Sequence, residues 1–259
     1  MNKKEEIEFL SNDWMQIIGH LEAFSATGDQ EALHRLRVQI KKVRAMLVFF
    51  ELTTGKHKLL IRFKPVKKIF KYAGSIRNAH VNLQLSGKYN LKNEVFETGQ
   101  RQIIDEGATI FKHNRKKFVK KIKFTFKKIK KRVSRISDHS IAGYYQIQLE
   151  KIASGLSISD FTEGMHKNRK LIKNLVYNHK LAEKALNNSL TFNKTYLDKL
   201  QESIGKWHDN VVAVKLFSSS GVDDKPVVNK IKKINTGVKR QITLLANNFL
   251  QKATTVEPA

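Results

Sequence analysis

Cysteine is absent from this chain of 259 residues, which excludes disulfides, thiolate nucleophiles and cysteine-ligated metals. Proline is also rare, with three in the whole sequence. No uninterrupted apolar run approaches the ~18 residues that a membrane-spanning helix needs. The first residues lack the apolar stretch and small-residue cleavage site of a signal peptide. We therefore expect a cytoplasmic protein with no transmembrane segment.

Acidic residues are few relative to basic ones. Asp and Glu number 23 against 49 Lys and Arg, so the formal net charge is +26 and the pI is about 10.1. Self-repulsion on this scale destabilises a compact state unless counter-ions or an anionic partner are bound. The charge therefore indicates a functional partner, and nucleic acid, an anionic membrane surface and an inorganic polyanion are the candidates.

Alternating β-type patterns are hard to find, whereas apolar residues recur every three to four positions along most of the chain. This periodicity predicts an all-α fold, with Thr27 and Asp29 as candidate N-caps of one helix. Three apolar stripes are the clearest: Leu33, Leu36, Ile40, Val43, Leu47 and Phe50; Leu60, Phe63, Val66, Phe70 and Ala73; and Val119, Ile122, Phe126, Ile129 and Val133.

Short clusters of Ser, Thr, Asn and Gly divide the periodic segments and predict turns between helices. With helices of ordinary length, about 11–12 residues on average, the layout should comprise roughly eight to ten of them. The predicted turns lie at Thr53-Thr54-Gly55, Ser86-Gly87, Ser154-Gly155, Asn187-Asn188-Ser189 and Ser218-Ser219-Ser220-Gly221.

The most informative motif is a histidine followed at helical spacing by basic residues, present in two copies. On an α-helix each copy forms one stripe directly beside the buried stripe, because each basic residue of the first copy comes one position after a core residue. The first copy is His34, Arg37, Lys41 and Arg44, and the second is His166, Arg169 and Lys173.

A second landmark supports an internal duplication. The segment around Gly74 lies 40 residues after His34, and a similar segment around Gly205 lies 39 residues after His166. We therefore expect one compact domain, 1–259, built of repeats at about 1–137 and 138–250 with a short C-terminal tail. Each repeat should be a helical bundle, the two related by a pseudo-twofold axis and forming a basic central groove or pore.

Such basic stripes suit a linear phosphate polymer. Every phosphate can accept charge-assisted hydrogen bonds, which contribute about 1.5–3 kcal/mol each. Other lysines repeat the same relation to the core: Lys64, Lys67 and Lys71 in one segment, and Lys116 and Lys120 within the run 112–135. That run holds thirteen basic residues and no acid, on both sides of its apolar stripe, so it could instead be a solvated helix face.

At these residues the sequence resembles the CHAD family, the conserved histidine α-helical domains. HRLRVQIKKVRAMLVFFE at 34–51 is similar to the family's first motif and MHKNRKLIKNLVY at 165–177 to its second copy. AGSIRNAHVNLQL at 73–85 and LQESIGKWHDNVVAVKL at 200–216 resemble the segments that follow each motif. The resemblance implies two four-helix bundles around a basic groove or pore that binds inorganic polyphosphate without hydrolysing it, with no cofactor or metal.

The resemblance and the stripes together define the predicted polyphosphate ligands. Asn78 stands where the family commonly has an acid, and Asn168, Asn174 and Val176 interrupt the basic run of the second copy, so the second half should bind less strongly. Polyphosphate granules or polyphosphate-metabolising enzymes are the implied associates. The predicted ligands are His34, Arg37, Lys41, Arg44, Lys64, Lys67, Lys71, Arg77, Lys116, Lys120, His166, Arg169, Lys173 and His208.

Three alternatives stay open. His208-Asp209 suggests a metal-dependent phosphohydrolase, although metal-assisted phosphate chemistry needs several convergent carboxylates or imidazoles and acids are sparse near the motifs. The high pI is compatible with non-specific nucleic-acid binding, although the aromatic residues lie mostly on predicted core faces. A basic amphipathic helix at 112–135 could also associate with an anionic membrane surface.

Overall fold

The structure, a computed structural model, describes residues 3–55, 58–91, 93–157, 161–187, 190–219 and 224–255. These residues form ten helices and no strand, so the predicted all-α fold class is confirmed. Within these ranges no helix combines the length and apolar character needed to cross a bilayer. The helices are α1 (Lys3–Thr27), α2 (Gln30–Thr54), α3 (Leu59–Arg62), α4 (Lys64–Tyr89), α5 (Glu94–Lys130), α6 (Asp138–Ser157), α7 (Glu163–Ala185), α8 (Lys194–Phe217), α9 (Lys225–Ala246) and α10 (Phe249–Thr254).

The chain divides into two compact units, Met1–Ile136 and Ser137–Ala259. In the first unit, four long helices pack in a ring: α1 contacts α2 and α5, and α4 contacts the same two helices from the other side. The short helix α3 packs against α2, α4 and α5. The predicted pseudo-twofold axis and shared groove stay predictions.

The core of the first unit is aromatic and includes two long-range polar anchors. The Trp14 indole N–H donates to the Ile122 carbonyl at 3.1 Å, and its ring packs edge-on against Phe63 at 5.6 Å between ring centroids. The Ile136 backbone N–H donates to the buried Glu6 carboxylate at 2.9 Å. Burial raises the pKa of Glu6. These bonds join α1 to α5 and to the last residues of the unit.

Helix α2 begins and ends as its sequence predicts. Asp29 is the N-cap, and its carboxylate accepts hydrogen bonds from the backbone N–H groups of Glu31 and Ala32. At the other end Gly55 adopts the left-handed conformation, with φ of 64°, that glycine tolerates best. The helix that carries the first motif is therefore well delimited.

The second unit repeats the ring with its own four long helices. Helix α7 packs against α6 and α8, and α9 packs against α8 and more narrowly against α6. The short helix α10 contacts α6 and α8. A buried polar anchor is again present, since the Tyr145 hydroxyl donates to the Leu175 carbonyl at 3.0 Å. In each unit the second long helix, α2 or α7, carries the histidine motif. The third, α4 or α8, carries Gly74 or Gly205.

Two of the predicted turns are wrong, because both of their glycines lie inside helices. Ser86 and Gly87 lie inside α4, where the Ser86 hydroxyl donates to the Glu97 carboxylate of α5 at 2.7 Å. Gly155 lies inside α6 at a close contact, since a Cβ there would collide with the Asn168 side chain. The turn at Thr53-Thr54-Gly55 is observed, while residues 188–189 and 220–223 lie outside the described ranges.

The crossing of α4 and α5 depends on Gly107, and this yields a stability prediction. A Cβ at Gly107 would collide with Cγ1 of the buried Ile76 side chain. Gly107→Ala should therefore lower the free energy of unfolding by about 1–3 kcal/mol, as overpacking does. Urea denaturation measures the change.

The matched control is Gly99→Ala in the same helix, where a Cβ would meet nothing within 4 Å. That variant should be more stable than the wild type by about 0.5–1 kcal/mol, because glycine loses more conformational entropy on folding. Equal effects of the two substitutions would contradict a tight crossing at Gly107.

Candidate functional site

In the first unit, the arginine of the motif links helices α2 and α4. Arg37 Nη1 donates a hydrogen bond to the Phe70 carbonyl at 2.9 Å, and its guanidinium carbon lies 4.3 Å from the centroid of the Phe70 ring. A Cβ on Gly74, one turn after Phe70, would lie 2.8 Å from the same Nη1. The guanidinium thus occupies space that only a glycine leaves open.

The second unit repeats this arrangement at equivalent positions of α7 and α8. Arg169 Nε donates to the Gln201 carbonyl at 3.0 Å. A Cβ on Gly205, again four residues after the acceptor, would lie 2.7 Å from Nη2 of that arginine. In each unit a backbone carbonyl accepts a hydrogen bond from an arginine, whose guanidinium lies against a glycine where no side chain is in the way. We call the resulting surfaces, Arg37 with Gly74 and Arg169 with Gly205, the two arginine seams.

Cationic groups crowd the first seam. Arg37 and Arg77 are only partly exposed, and His34 lies on the same side of α2. The pKa of His34 is lowered by burial first, then by Arg77, with Lys41 and Arg37 acting in the same direction and Glu31 opposing them. The pKa of Arg37 is likewise lowered by burial and by Arg77. The seam therefore holds several positive groups near one another.

In the second seam, a histidine stands at the position equivalent to Arg77. The rings of His166 and His208 stack, with centroids 4.2 Å apart and planes 19° from parallel. His166 Nδ1 is buried with no hydrogen-bond partner. Burial, and then His208, lower the pKa of His166 to about 4, so its ring is neutral at physiological pH. In the protonated ring, the buried Nδ1–H group would have no hydrogen-bond acceptor.

The lysines of both seams lie over aromatic rings. Lys41 Nζ is 5.9 Å from the Phe70 centroid, and Lys173 Nζ is 5.6 Å from that of Tyr177. The pKa of Lys173 is lowered chiefly by burial and by Arg169, while carboxylates oppose this. These are Asp198, Asp209 and Glu202, so the second seam includes acidic neighbours. Phe70, predicted as core, is half-buried and forms part of the first seam.

The remaining predicted ligands are distributed unevenly. Arg44 is exposed two turns after Arg37, on the same face of α2. Lys67 and Lys71 precede Gly74 by seven and three residues, so they lie on the same face of α4 as the seam. Both are exposed, as is Lys64 one turn before Lys67. These lysines extend the cationic surface of the first seam along α4.

Lys116 and Lys120 lie elsewhere. They are exposed on α5 and border a surface hollow to which Glu22 of α1 also contributes. Helix α5 packs between α1 and α4, whereas the motif helix α2 packs against the opposite sides of these two helices. The structure therefore does not bring Lys116 and Lys120 to the first seam.

Several groups that form the seams are not predicted by the sequence. Gly74 and Gly205 were noted as markers of the repeat, but their role as space for a guanidinium needs contacts between two helices. The acceptors are main-chain carbonyls of Phe70 and Gln201, which no side-chain pattern encodes. His80 also lies near the first seam, since burial and then the nearby Arg77 lower its pKa. The available signal is the nearly equal spacing from arginine to glycine in both repeats.

The arrangement offers little for metal-assisted chemistry. Within the described ranges, histidines and carboxylates do not gather in groups of three or more that could hold an ion. His208 Nδ1 and Asp209 Oδ1 are 3.9 Å apart, and that carboxylate is largely exposed. This pair is a contact between chain neighbours beside the second seam. What the seams can do is donate hydrogen bonds to anions.

Comparisons with known proteins agree with this architecture. The model of the CHAD domain family matches residues 9–218. The chain is also similar to the crystal structure of the CHAD domain from the plant Ricinus communis, with a TM-score of 0.61 and 14% sequence identity over 97% of this chain and 88% of the other. No curated protein matches the sequence significantly.

The arginine seams yield a second stability prediction. In Gly205→Ala the new methyl group displaces the Arg169 guanidinium and removes its bond to Gln201. The lost bond to a charged donor contributes about 1.5–3 kcal/mol, and the helix gains about 0.5–1 kcal/mol from alanine. The free energy of unfolding should therefore fall by about 1 kcal/mol, and Gly74→Ala should behave alike.

Gly87→Ala is the control, because it lies in α4 and a Cβ there would meet nothing within 4 Å. Its free energy of unfolding should rise slightly in the same denaturation assay. If Gly74→Ala and Gly205→Ala were as stabilising as Gly87→Ala, the arginines would not be held in the way described.

Proposed function

The chain belongs to the CHAD domain family, and on this premise we propose that it binds inorganic polyphosphate through its two arginine seams without hydrolysing it. The family resemblance implies this ligand, and the geometry of the seams supports it. In each seam, an arginine, a histidine and a lysine lie on the motif helix, α2 or α7. The neighbouring helix, α4 or α8, has a glycine that leaves room for the guanidinium. The ligand is a chain of phosphates whose oxygens accept hydrogen bonds from each of these groups.

The observation that carries the proposal is the crowding of like charges at the first seam. Burial first, and then Arg77, lower the pKa of both His34 and Arg37, so the cationic form of each is disfavoured in the free protein. A folded protein has no gain from such an arrangement by itself, and local conflicts of this kind are expected at functional sites. A polyanion would remove the repulsion and gain a hydrogen bond from each donor.

The arginines are held in a way that suits binding. A guanidinium has five N–H donors in a planar fork, and the backbone carbonyl engages only part of them. Both side chains are partly exposed, so the remaining donors are available to phosphate oxygens. Because the carbonyl fixes the fork in advance, binding requires little further loss of side-chain freedom.

The two seams should contribute unequally. Lys173 has Asp198, Glu202 and Asp209 as neighbours, which weaken the positive potential of the second seam. The pKa of His166, about 4, leaves its ring neutral in the free protein, whereas Arg77 of the first seam is always charged. We propose that the first seam supplies most of the affinity at neutral pH.

Substitution within the first seam tests the proposed site. His34→Ala combined with Arg37→Ala should weaken polyphosphate binding at least tenfold, because two charge-assisted hydrogen bonds of about 1.5–3 kcal/mol each are removed. Replacing any two lysines of 112–135 by alanine should have a smaller effect. Isothermal titration calorimetry with chains of defined length, at two salt concentrations, measures both affinities.

Circular dichroism melting verifies that each variant is folded at the titration temperature. Comparable losses in the seam variant and the lysine variants would mean that overall charge alone determines binding. The same samples test the alternative of hydrolysis, since incubation with polyphosphate and Mg²⁺, Mn²⁺ or Zn²⁺ should release no orthophosphate. Release that depends on His208 and Asp209 would replace the binding proposal with an enzymatic one.

The histidine stack predicts a pH dependence of affinity. The pKa of His166, about 4 in the free protein, should rise when a phosphate lies beside it, so that binding takes up a proton. Proton uptake makes the affinity increase as the pH falls from 8 towards 5.5. The other charged groups near this ring are Glu163, Lys170 and Arg169 on α7 and His208 on α8.

The control is the double variant His166→Gln/His208→Gln, which keeps polar side chains at both positions but cannot titrate. Its affinity should change less between pH 8 and 5.5 than that of the wild type, in calorimetric titrations repeated in buffers of different ionisation enthalpy. Identical pH profiles for the two proteins would show that the stack takes no part.

A further inference from the structure

The outer face of α5 is a strongly charged surface that the seams do not use. All thirteen basic residues of 112–135 are exposed, and ten of them lie on α5, which ends at Lys130. The ion pairs formed within the described ranges involve none of them. Most of this positive charge therefore remains available to an anionic partner.

Six of these lysines form one straight row. They follow each other at intervals of three or four residues, so they share a face of the helix over about 27 Å at 1.5 Å per residue. The opposite face of α5 is fixed in the core by Phe111, Phe118, Ile122 and Ile129, which holds the row rigid. We call this row the lysine ridge: Lys112, Lys116, Lys120, Lys123, Lys127 and Lys130.

The ridge is unfavourable for the isolated helix. Like charges four residues apart, as in Lys112 and Lys116 or Lys116 and Lys120, each destabilise a helix by a few tenths of a kcal/mol. Interspersed acids would relieve this, and the segment has none. The arrangement is therefore the kind that a bound linear polyanion stabilises, through release of counter-ions.

An exposed aromatic ring borders the ridge and indicates which polyanion fits. Phe124 is 58% exposed, and Lys128 Nζ lies 4.2 Å from its ring centroid on one side. Single-strand binders combine a basic track with such rings, on which unpaired bases stack. A membrane-binding helix would instead need an exposed apolar face, whereas the apolar stripe beside the ridge, Phe111, Phe118, Ile122 and Ile129, is buried in the bundle.

We propose that the lysine ridge together with Phe124 is a binding surface for single-stranded nucleic acid. The phosphates lie along the row of lysines, and one base stacks on the Phe124 ring. Glu22 of α1 at the edge of the ridge limits the positive surface on that side. The surface is distinct from the first seam, because Lys116 and Lys120 border α1 and the seam lies between α2 and α4. The proposal does not depend on polyphosphate binding.

Fluorescence anisotropy with a labelled 20-nucleotide oligouridylate tests the proposal on the full chain. Replacing Lys116, Lys120, Lys123 and Lys127 together by glutamine should weaken binding at least tenfold. It should also reduce the slope of log affinity against log salt by about three, since each single-strand phosphate contact contributes about 0.7. The matched control replaces four exposed lysines of α9 by glutamine and should have less than a threefold effect: Lys225, Lys230, Lys232 and Lys233.

Two further variants separate the possible explanations. Phe124→Leu should weaken binding severalfold with an unchanged salt slope, because it removes stacking and keeps all charges. His34→Ala/Arg37→Ala should leave oligonucleotide binding unchanged, so a failure of polyphosphate binding at the seams would not affect this result. Equal losses in the ridge and α9 variants would overturn the proposal. It would also be overturned if Phe124→Leu had no effect and the ridge instead governed binding to anionic lipid vesicles.

Discussion

A guanidinium held by a main-chain carbonyl, in the space left by a missing side chain, is the constraint on which the rest of this molecule depends. It sets how closely the motif helix approaches its partner and in which direction the arginine fork points. It also brings the histidine and lysine of the motif to the same surface. Because Arg37 and Arg169 are held alike, the same local geometry occurs twice in one chain.

The repeats share this geometry but differ in their electrostatics. The first seam places Arg77 where the second has His208, and the second adds carboxylates around Lys173. The first seam thus has two arginines, whereas the second has one arginine and a pair of stacked histidines, of which His166 is neutral in the free protein. The two units therefore combine the same pairing of an arginine with a glycine with different surrounding charges.

Much of the fold could be predicted because helix periodicity and capping are local. The stripe from Leu33 to Phe50 and the cap at Asp29 depend on neighbouring residues only, and both agree with α2. The role of a glycine is harder to predict, since the sequence indicates turns at Gly87 and Gly155 although both lie inside helices. A helical glycine at a packing contact differs from a turn glycine only in what a distant segment places beside it.

The candidate site was predictable in part for the same reason. Helical spacing identifies His34, Arg37 and Lys41 as one surface, but the sequence does not reveal that a carbonyl of α4 holds the arginine. Lys116 follows a similar local pattern and lies on a different face of the bundle. Periodicity assigns a residue to a side of its own helix, whereas a site requires knowing which helix packs there.

Guanidinium NMR of the assigned arginines during titration with polyphosphate tests the central claim most directly. The Nε resonances of Arg37 and Arg169 should shift at the lowest polyphosphate concentrations, and that of Arg37 should shift first at neutral pH. Exposed arginines such as Arg115 and Arg132 should follow only at higher concentrations. Earlier shifts of Arg115 and Arg132, with Arg37 and Arg169 unchanged, would contradict the assignment of the seams as the binding site.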